Sequence, residues 1–274
     1  MTVAVRPKPF VKTQPVIDWE LLPKNFILPD DPVESINHPL IAAALTDALD
    51  VAGLMLPSLL IASNFGLCVQ VNRKIVVKAP DWVYVTSVKA VVGERRSYTP
   101  ITEGDIPAVV MEFLSETDGG EYSNRYTYPY GKWYFYEQIL AIPIYVIFDA
   151  ESGLLEVHGL ESGIYRELLP DAQGRYWLES MGLFLGVWEG QKANRTGFWL
   201  RWWNESGEML LWGTEQSILE RSRAEQEHSR AEQERSRAEQ ERLRAEQERL
   251  RAEAAEQEIA LLRQRLNEIN PDKS

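Results

Sequence analysis

The stretch IPAVVMEFLS, residues 106–115, organises the chain around it. Val109, Val110, Met111, Phe113 and Leu114 form an apolar run without polar alternation. That pattern predicts a short strand buried on both faces of a mixed sheet. Glu112 is the single charge inside the run. Burying a lone carboxylate costs several kcal/mol unless something pairs with it. Glu112 therefore has a lysine or arginine partner, or it binds a metal, and the residues alone leave both open.

Two flanking residues bear on that choice. Asp81 follows Pro80 at the head of a second strand-like run, WVYVTSVKAVV, and Lys132 opens KWYFYEQIL, a short helix candidate over 132–140. An Asp and a Glu on adjacent strands can hold a divalent cation through hard oxygen ligands, and a nearby Lys can stabilise charge developing on a phosphate. The same three residues could equally form a structural ion pair, because 41 acidic residues offer many such triplets.

The rest of the chain follows α/β order. HPLIAAALTDALDVAGLM reads as a helix with Asn37 as N-cap and Pro39 in its first turn, and Pro57 stops any continuation. IASNFGLCVQV and KIVVKA read as strands joined at Asn72-Arg73. IPIYVIFD, 142–149, is a β-branched strand, and the turn Asp149–Gly153 leads from it into LLEVHGL. The expected class is α/β, with a mixed central sheet flanked by helices.

Four regions are expected: an irregular arm over 1–33, a core over 34–162, a Trp-rich β extension over 163–215 and a heptad-repeat helical tail over 216–270. Six of the nine tryptophans lie between Trp177 and Trp212. They are read either as packing of a small β extension or as a platform that stacks on bases, with Arg201, Trp202 and Trp203 as its best candidates. From Glu220 the unit ERSRAEQ recurs every seven residues, without Gly or Pro before Pro271. This predicts a long helix laced with Glu–Arg pairs worth only about 0.2–0.5 kcal/mol each. Ala224, Ala231, Ala238, Ala245 and Ala252 share one heptad position, and Ile259, Leu262, Leu266 and Ile269 continue the seam more strongly. A homo-oligomer through residues 220–269 is one expectation, and a solvated single helix is the other.

Net charge is −12, and residues 220–269 hold 13 Glu against 11 Arg, so most of the acidity belongs to the part before the repeat. Such a charge works against non-specific nucleic-acid binding. A nuclease would need a metal or a local basic patch, for which Arg95 and Arg96 are candidate nucleic-acid contacts. One cysteine, Cys68, permits no internal disulfide, and three scattered histidines do not suggest a zinc site. A reducing, cytoplasmic setting is expected. The opening MTVAVRPKPFVKTQP lacks the apolar core of a secretion signal. The most apolar window, 39–62, carries Asp47, Asp50 and Pro57, so no membrane span is expected.

Segment 80–149 resembles the large bacterial family of restriction-endonuclease-like proteins of the PD-(D/E)XK nuclease superfamily. Pro80-Asp81 matches that family's first Pro-Asp, and PAVVMEFLS, 107–115, matches its second strand. Lys132 and Tyr136 match its Lys-x-x-x-Tyr helix, and IYVIFDAESGLLEVH, 144–158, its closing strand and hairpin. Glu34 and His38 fall where the family often has an acidic residue and a His before its first helix. Departures are Ala108 in place of the second Asp, Leu114 where a Glu-x-Lys motif has its Lys, and Tyr128 where the family has an acid four residues before the helix Lys. The resemblance implies a Mg²⁺- or Mn²⁺-dependent endonuclease acting on DNA. It makes Asp81 and Glu112 the metal ligands, makes Lys132 catalytic, and gives Tyr136, Glu34 and His38 supporting roles. The alternative is a catalytically weak or inactive member of the fold that assembles through its tail.

Overall fold

The computed structural model describes residues 16–20, 37–89, 94–114 and 119–269, in two compact units, 1–213 and 214–274. In the first unit the strands are β1 (Ile17–Asp18), β2 (Leu60–Ala62), β3 (Leu67–Val71), β4 (Lys74–Lys78), β5 (Trp82–Val85), β6 (Val109–Phe113) and β7 (Ile144–Phe148). They continue with β8 (Leu155–Glu161), β9 (Ile164–Glu167), β10 (Tyr176–Leu178), β11 (Leu183–Lys192) and β12 (Arg195–Trp203). Helix α1 (Asn37–Val51) precedes most of them.

The main sheet has six strands in the order β2-β5-β6-β7-β8-β9; β6 and β7 are parallel and the other neighbours antiparallel. This is the expected mixed sheet, and β6 is buried at all five positions. Its neighbours show why no alternation was visible. Val109, Met111 and Phe113 of β6, Trp82 and Tyr84 of β5, and Val146 and Phe148 of β7 pack on one face with α1. Val110, Val83, Val85, Tyr145 and Ile147 pack on the other face, with β3 and the segment around Phe135. Side chains alternate between faces, yet both faces are covered, so both sets must be apolar. Glu112 shares the parity of Val110, and Asp81 shares that of Val83 and Val85. The two carboxylates therefore lie on the same face of the sheet.

The Asn72-Arg73 turn joins β3 to β4 with both residues at positive φ, 50° and 61°, the geometry of a tight two-residue hairpin. The Asp149–Gly153 turn likewise joins β7 to β8, with Gly153 at φ 78° and the Asp149 carboxylate capping Glu151 N–H at 2.9 Å. The expected helix over 132–140 is one α turn, α2 (Lys132–Tyr134), running into a π-helical turn, Phe135–Ile139.

β9 lies at the edge of the main sheet, so the separate antiparallel sheet starts only at β10 and has the order β10-β11-β12. Trp199, Trp202 and Trp212 are buried in the same core as α1. Trp202 Nε1 donates to the Leu45 carbonyl at 3.1 Å, and its ring lies 5.8 Å from that of Trp82. Arg201 is buried too, 3.5 Å over the Trp212 ring. This corrects the reading of Arg201 and Trp202 as a stacking platform, because rings packed into a core cannot meet a base.

The second unit carries the helix α3, Gly213–Ile269, which starts at the last residue of the first unit and whose described side chains beyond Leu219 are exposed as far as Leu266. Ion pairs such as Arg249–Glu253 at 3.4 Å lie along it, and Leu243, Leu250, Ile259, Leu262 and Leu266 are exposed. Among the described residues no helix is long and apolar enough to cross a membrane.

Candidate active site

Strand pairing puts the first two candidates opposite each other. Trp82 faces Met111 across β5 and β6, and one step further along that register Asp81 faces Glu112. Asp81 Oδ2 accepts the Phe113 N–H at 2.5 Å, in place of the backbone acceptor that β5 no longer supplies there. Asp81 Oδ1 lies 3.6 Å from His38 Nδ1 at the start of α1, and His38 Nε2 lies 3.2 Å from the Leu114 carbonyl. His38 thus ties α1 to both strands, with its ring edge-on to Phe113.

Glu112 is 1 % exposed. The Tyr136 hydroxyl donates to its Oε1 at 2.7 Å, and Lys132 Nζ donates to its Oε2 at 3.2 Å. Both donors come from the α2 and π-turn segment that covers this face of the sheet. The opening choice for Glu112 thus has part of its answer: a lysine partner is present.

A third carboxylate, which the sequence did not single out, completes the cluster. Glu121 lies on a 3₁₀ turn, Gly119–Tyr122, and is 4 % exposed. Its Oε1 accepts from Lys132 Nζ at 3.3 Å, while its backbone carbonyl accepts the Tyr145 hydroxyl at 2.9 Å, fastening the turn to β7. Its Oε2 is buried and has no hydrogen-bond partner among the described residues. Glu121 stands eleven residues before Lys132 in a polar loop without periodicity, so spacing gave no signal for it. The Tyr128 position, where the resemblance expects an acid, is exposed.

Burial pushes the Glu112 carboxyl up to about 8; the nearby Asp81 charge adds to the rise, and Lys132 and Tyr136 only partly oppose it. For Lys132, burial favours the neutral amine, but Glu112, Glu121 and Asp81 together outweigh it and hold the ammonium above the ordinary lysine range. Burial and the Glu112 charge keep the Tyr136 phenol protonated far above its usual range. At neutral pH the cluster has a fixed cation at Lys132 and a carboxyl at Glu112 that a second cation would help to ionise.

Among the described residues no three His, Cys, Asp or Glu groups are already gathered as a metal cage. The chemistry of the donors nevertheless suits a hard divalent ion: they are carboxylate oxygens, and one buried Glu121 oxygen has no donor among the described residues. Tyr136 and His38 are in direct contact with the acidic groups. Arg95 is not: it is spent on Glu103 at 2.5 Å and on the Lys89 carbonyl at 2.9 Å, and Arg96 is exposed. Glu34 lies outside the described residues.

No curated protein shows significant similarity to the chain. The family described as putative restriction endonuclease (Uma2) matches residues 14–191, which span α1, the whole main sheet and the carboxylate–lysine cluster; the chain belongs to that family.

Proposed function

We propose that this protein is a divalent-metal-dependent endonuclease that hydrolyses DNA phosphodiester bonds. The observation that supports it most is the meeting of Asp81 and Glu112 on one sheet face with the Lys132 ammonium on Glu112 Oε2. Asp81 and Glu112 would hold Mg²⁺ or Mn²⁺. When bound, the ion polarises the phosphate and lowers the pKa of water. The protein's own groups do the rest. Lys132, held protonated by its acidic neighbours, presents a fixed positive charge to the phosphate oxygens as negative charge builds on them. Glu121 positions Lys132, Tyr136 orients Glu112, and His38 orients Asp81. Cys68 is a buried free thiol, in keeping with a reducing cytoplasmic setting.

The test is cleavage of plasmid and oligonucleotide DNA by purified protein with Mg²⁺ or Mn²⁺, with Glu112→Ala expected to abolish it. Cleavage unchanged in Glu112→Ala would sink the assignment. A second reading is an inactive scaffold that assembles with a second copy through residues 220–269. What favours it is that both Glu112 oxygens already have protein donors, and that Ile259, Leu262 and Leu266 lie exposed on the tail. Calorimetry showing no Mg²⁺ or Mn²⁺ binding, with no cleavage of any nucleic acid, would favour it over the first.

A further inference from the structure

The two residues that face the cluster from its loop side are each followed by an aromatic residue: Glu121 by Tyr122, and Lys132 by Trp133. Those rings lie near-parallel, with centroids 6.4 Å apart and 26° between planes. Together with Tyr134, Gln138 and the β8–β9 turn they line an open groove of about 810 Å³, within the size range of small-ligand sites. We propose that this groove receives an unpaired nucleobase of a single-stranded DNA segment, the base next to the phosphate held at Lys132. The inference rests on the nuclease reading and adds to it the form of the substrate.

Three features point to a base rather than a phosphate. The first is rigidity. Trp133 is held edge-on by Tyr145, His158 and Tyr165 at 5.6, 4.8 and 5.5 Å, and Tyr122 is tethered by its hydroxyl to Glu156 at 3.0 Å. Fixed rings give up little entropy when a flat partner stacks on them. The second is charge. Among the described residues no lysine or arginine lines the groove, and Glu137, buried in its wall, accepts from Tyr165 N–H at 2.7 Å and Trp133 Nε1 at 3.3 Å. A phosphate would be repelled here, whereas a neutral heteroaromatic ring would not. The third is polar reach. Gln138 spends its amide N–H groups on Glu137 and on the Gly163 carbonyl, which leaves its oxygen as an acceptor, and Asn124 makes no side-chain hydrogen bond among the described residues. Acceptor and amide groups beside aromatic faces are what a base edge requires.

Location decides which base. Tyr122 and Trp133 directly follow Glu121 and Lys132 in the chain, with successive Cα atoms about 3.8 Å apart, so the proposed base is the one adjoining the phosphate at Lys132. In a duplex the faces of that base are already stacked on its neighbours, so the groove selects an unpaired strand.

The test uses the full chain with Mg²⁺ and a single-stranded phosphorothioate oligonucleotide that resists cleavage and carries one 2-aminopurine. Binding should quench 2-aminopurine fluorescence, and replacing that base by an abasic site should weaken binding about 10-fold, the scale of one stacked base. Tyr122→Ala should weaken the intact oligonucleotide by a similar factor and abolish its preference over the abasic one. Tyr122→Phe, which keeps the ring but loses its tether to Glu156, should restore the preference over the abasic strand and most of the affinity. Absence of quenching, or an abasic strand or Tyr122→Ala behaving like the originals, overturns the inference. The two levels separate cleanly. Tyr122-dependent quenching in a protein that cleaves nothing removes the nuclease reading and leaves the groove; cleavage and binding indifferent to Tyr122 remove the groove alone.

Discussion

Replacing Glu112 by glutamine should make the protein more stable at neutral and alkaline pH. The carboxyl is buried and titrates near 8 in the folded protein, against 4.5 for an ordinary glutamate. Between those values the folded state keeps a proton that the unfolded chain has released. Stability associated with Glu112 is therefore complete below about pH 4.5 and is lost as pH rises through about 8. At about 1.4 kcal/mol per pKa unit the full span is worth about 5 kcal/mol. Roughly 3 kcal/mol of that falls between pH 5 and 7, or about 6–12 °C in melting temperature for a domain of this size. Glutamine cannot ionise, and it can still meet Tyr136 and Lys132 through hydrogen bonds. The assay is thermal unfolding of wild type and Glu112→Gln from pH 5 to 9 at constant ionic strength in EDTA. The two curves should separate progressively with pH, the variant staying flatter. Adding Mg²⁺ should flatten the wild-type curve as well, because a bound cation stabilises the carboxylate. Parallel pH profiles in EDTA would refute the argument, since they would mean that Glu112 ionises as easily folded as unfolded.

Lys132→Met removes the only cation bonded to both Glu112 and Glu121 among the described residues, and should cost about 3–5 kcal/mol by denaturant titration, more above pH 8 than at pH 6. Arg73→Gly in the β3–β4 turn should gain about 1 kcal/mol in the same titration, because glycine adopts the φ of 61° without a Cβ clash. Trp202→Ala should cost about 3–5 kcal/mol, whereas the half-exposed Trp177→Ala should cost far less; equal effects would contradict the buried position of Trp202. Truncation at Glu220 should lower the solution mass by more than the mass of the removed tail if residues 220–269 join copies of the chain; sedimentation showing only the loss of the tail would exclude that role.

Much of the framework was legible because it is encoded locally. The run at 106–115 announced a strand covered on both faces, Asn37 and Pro39 announced α1, and Asn72-Arg73 and Asp149–Gly153 announced hairpins. The seven-residue repeat announced a helix, which runs to Ile269. Asp81, Glu112 and Lys132 could be listed as a triplet because each stands at the head or centre of a recognisable element.

The rest depended on contacts that no local pattern carries. Glu121 sits in an aperiodic loop, and only the fastening of that loop to Tyr145 brings it to Lys132. The Trp-rich segment did not say that α1 covers one of its faces, so packing and stacking both stayed open for Trp202, which fills the core. The amide-rich, aromatic groove likewise arises where the 3₁₀ turn, the π turn and the β8–β9 turn meet. By itself the sequence determined which segments are strands and helices and that a carboxylate would be buried in the central one, because side-chain period and turn chemistry are properties of neighbouring residues. The tertiary structure alone decided what surrounds that carboxylate, because register across β5 and β6 and the docking of two loops set distances between groups far apart in the chain.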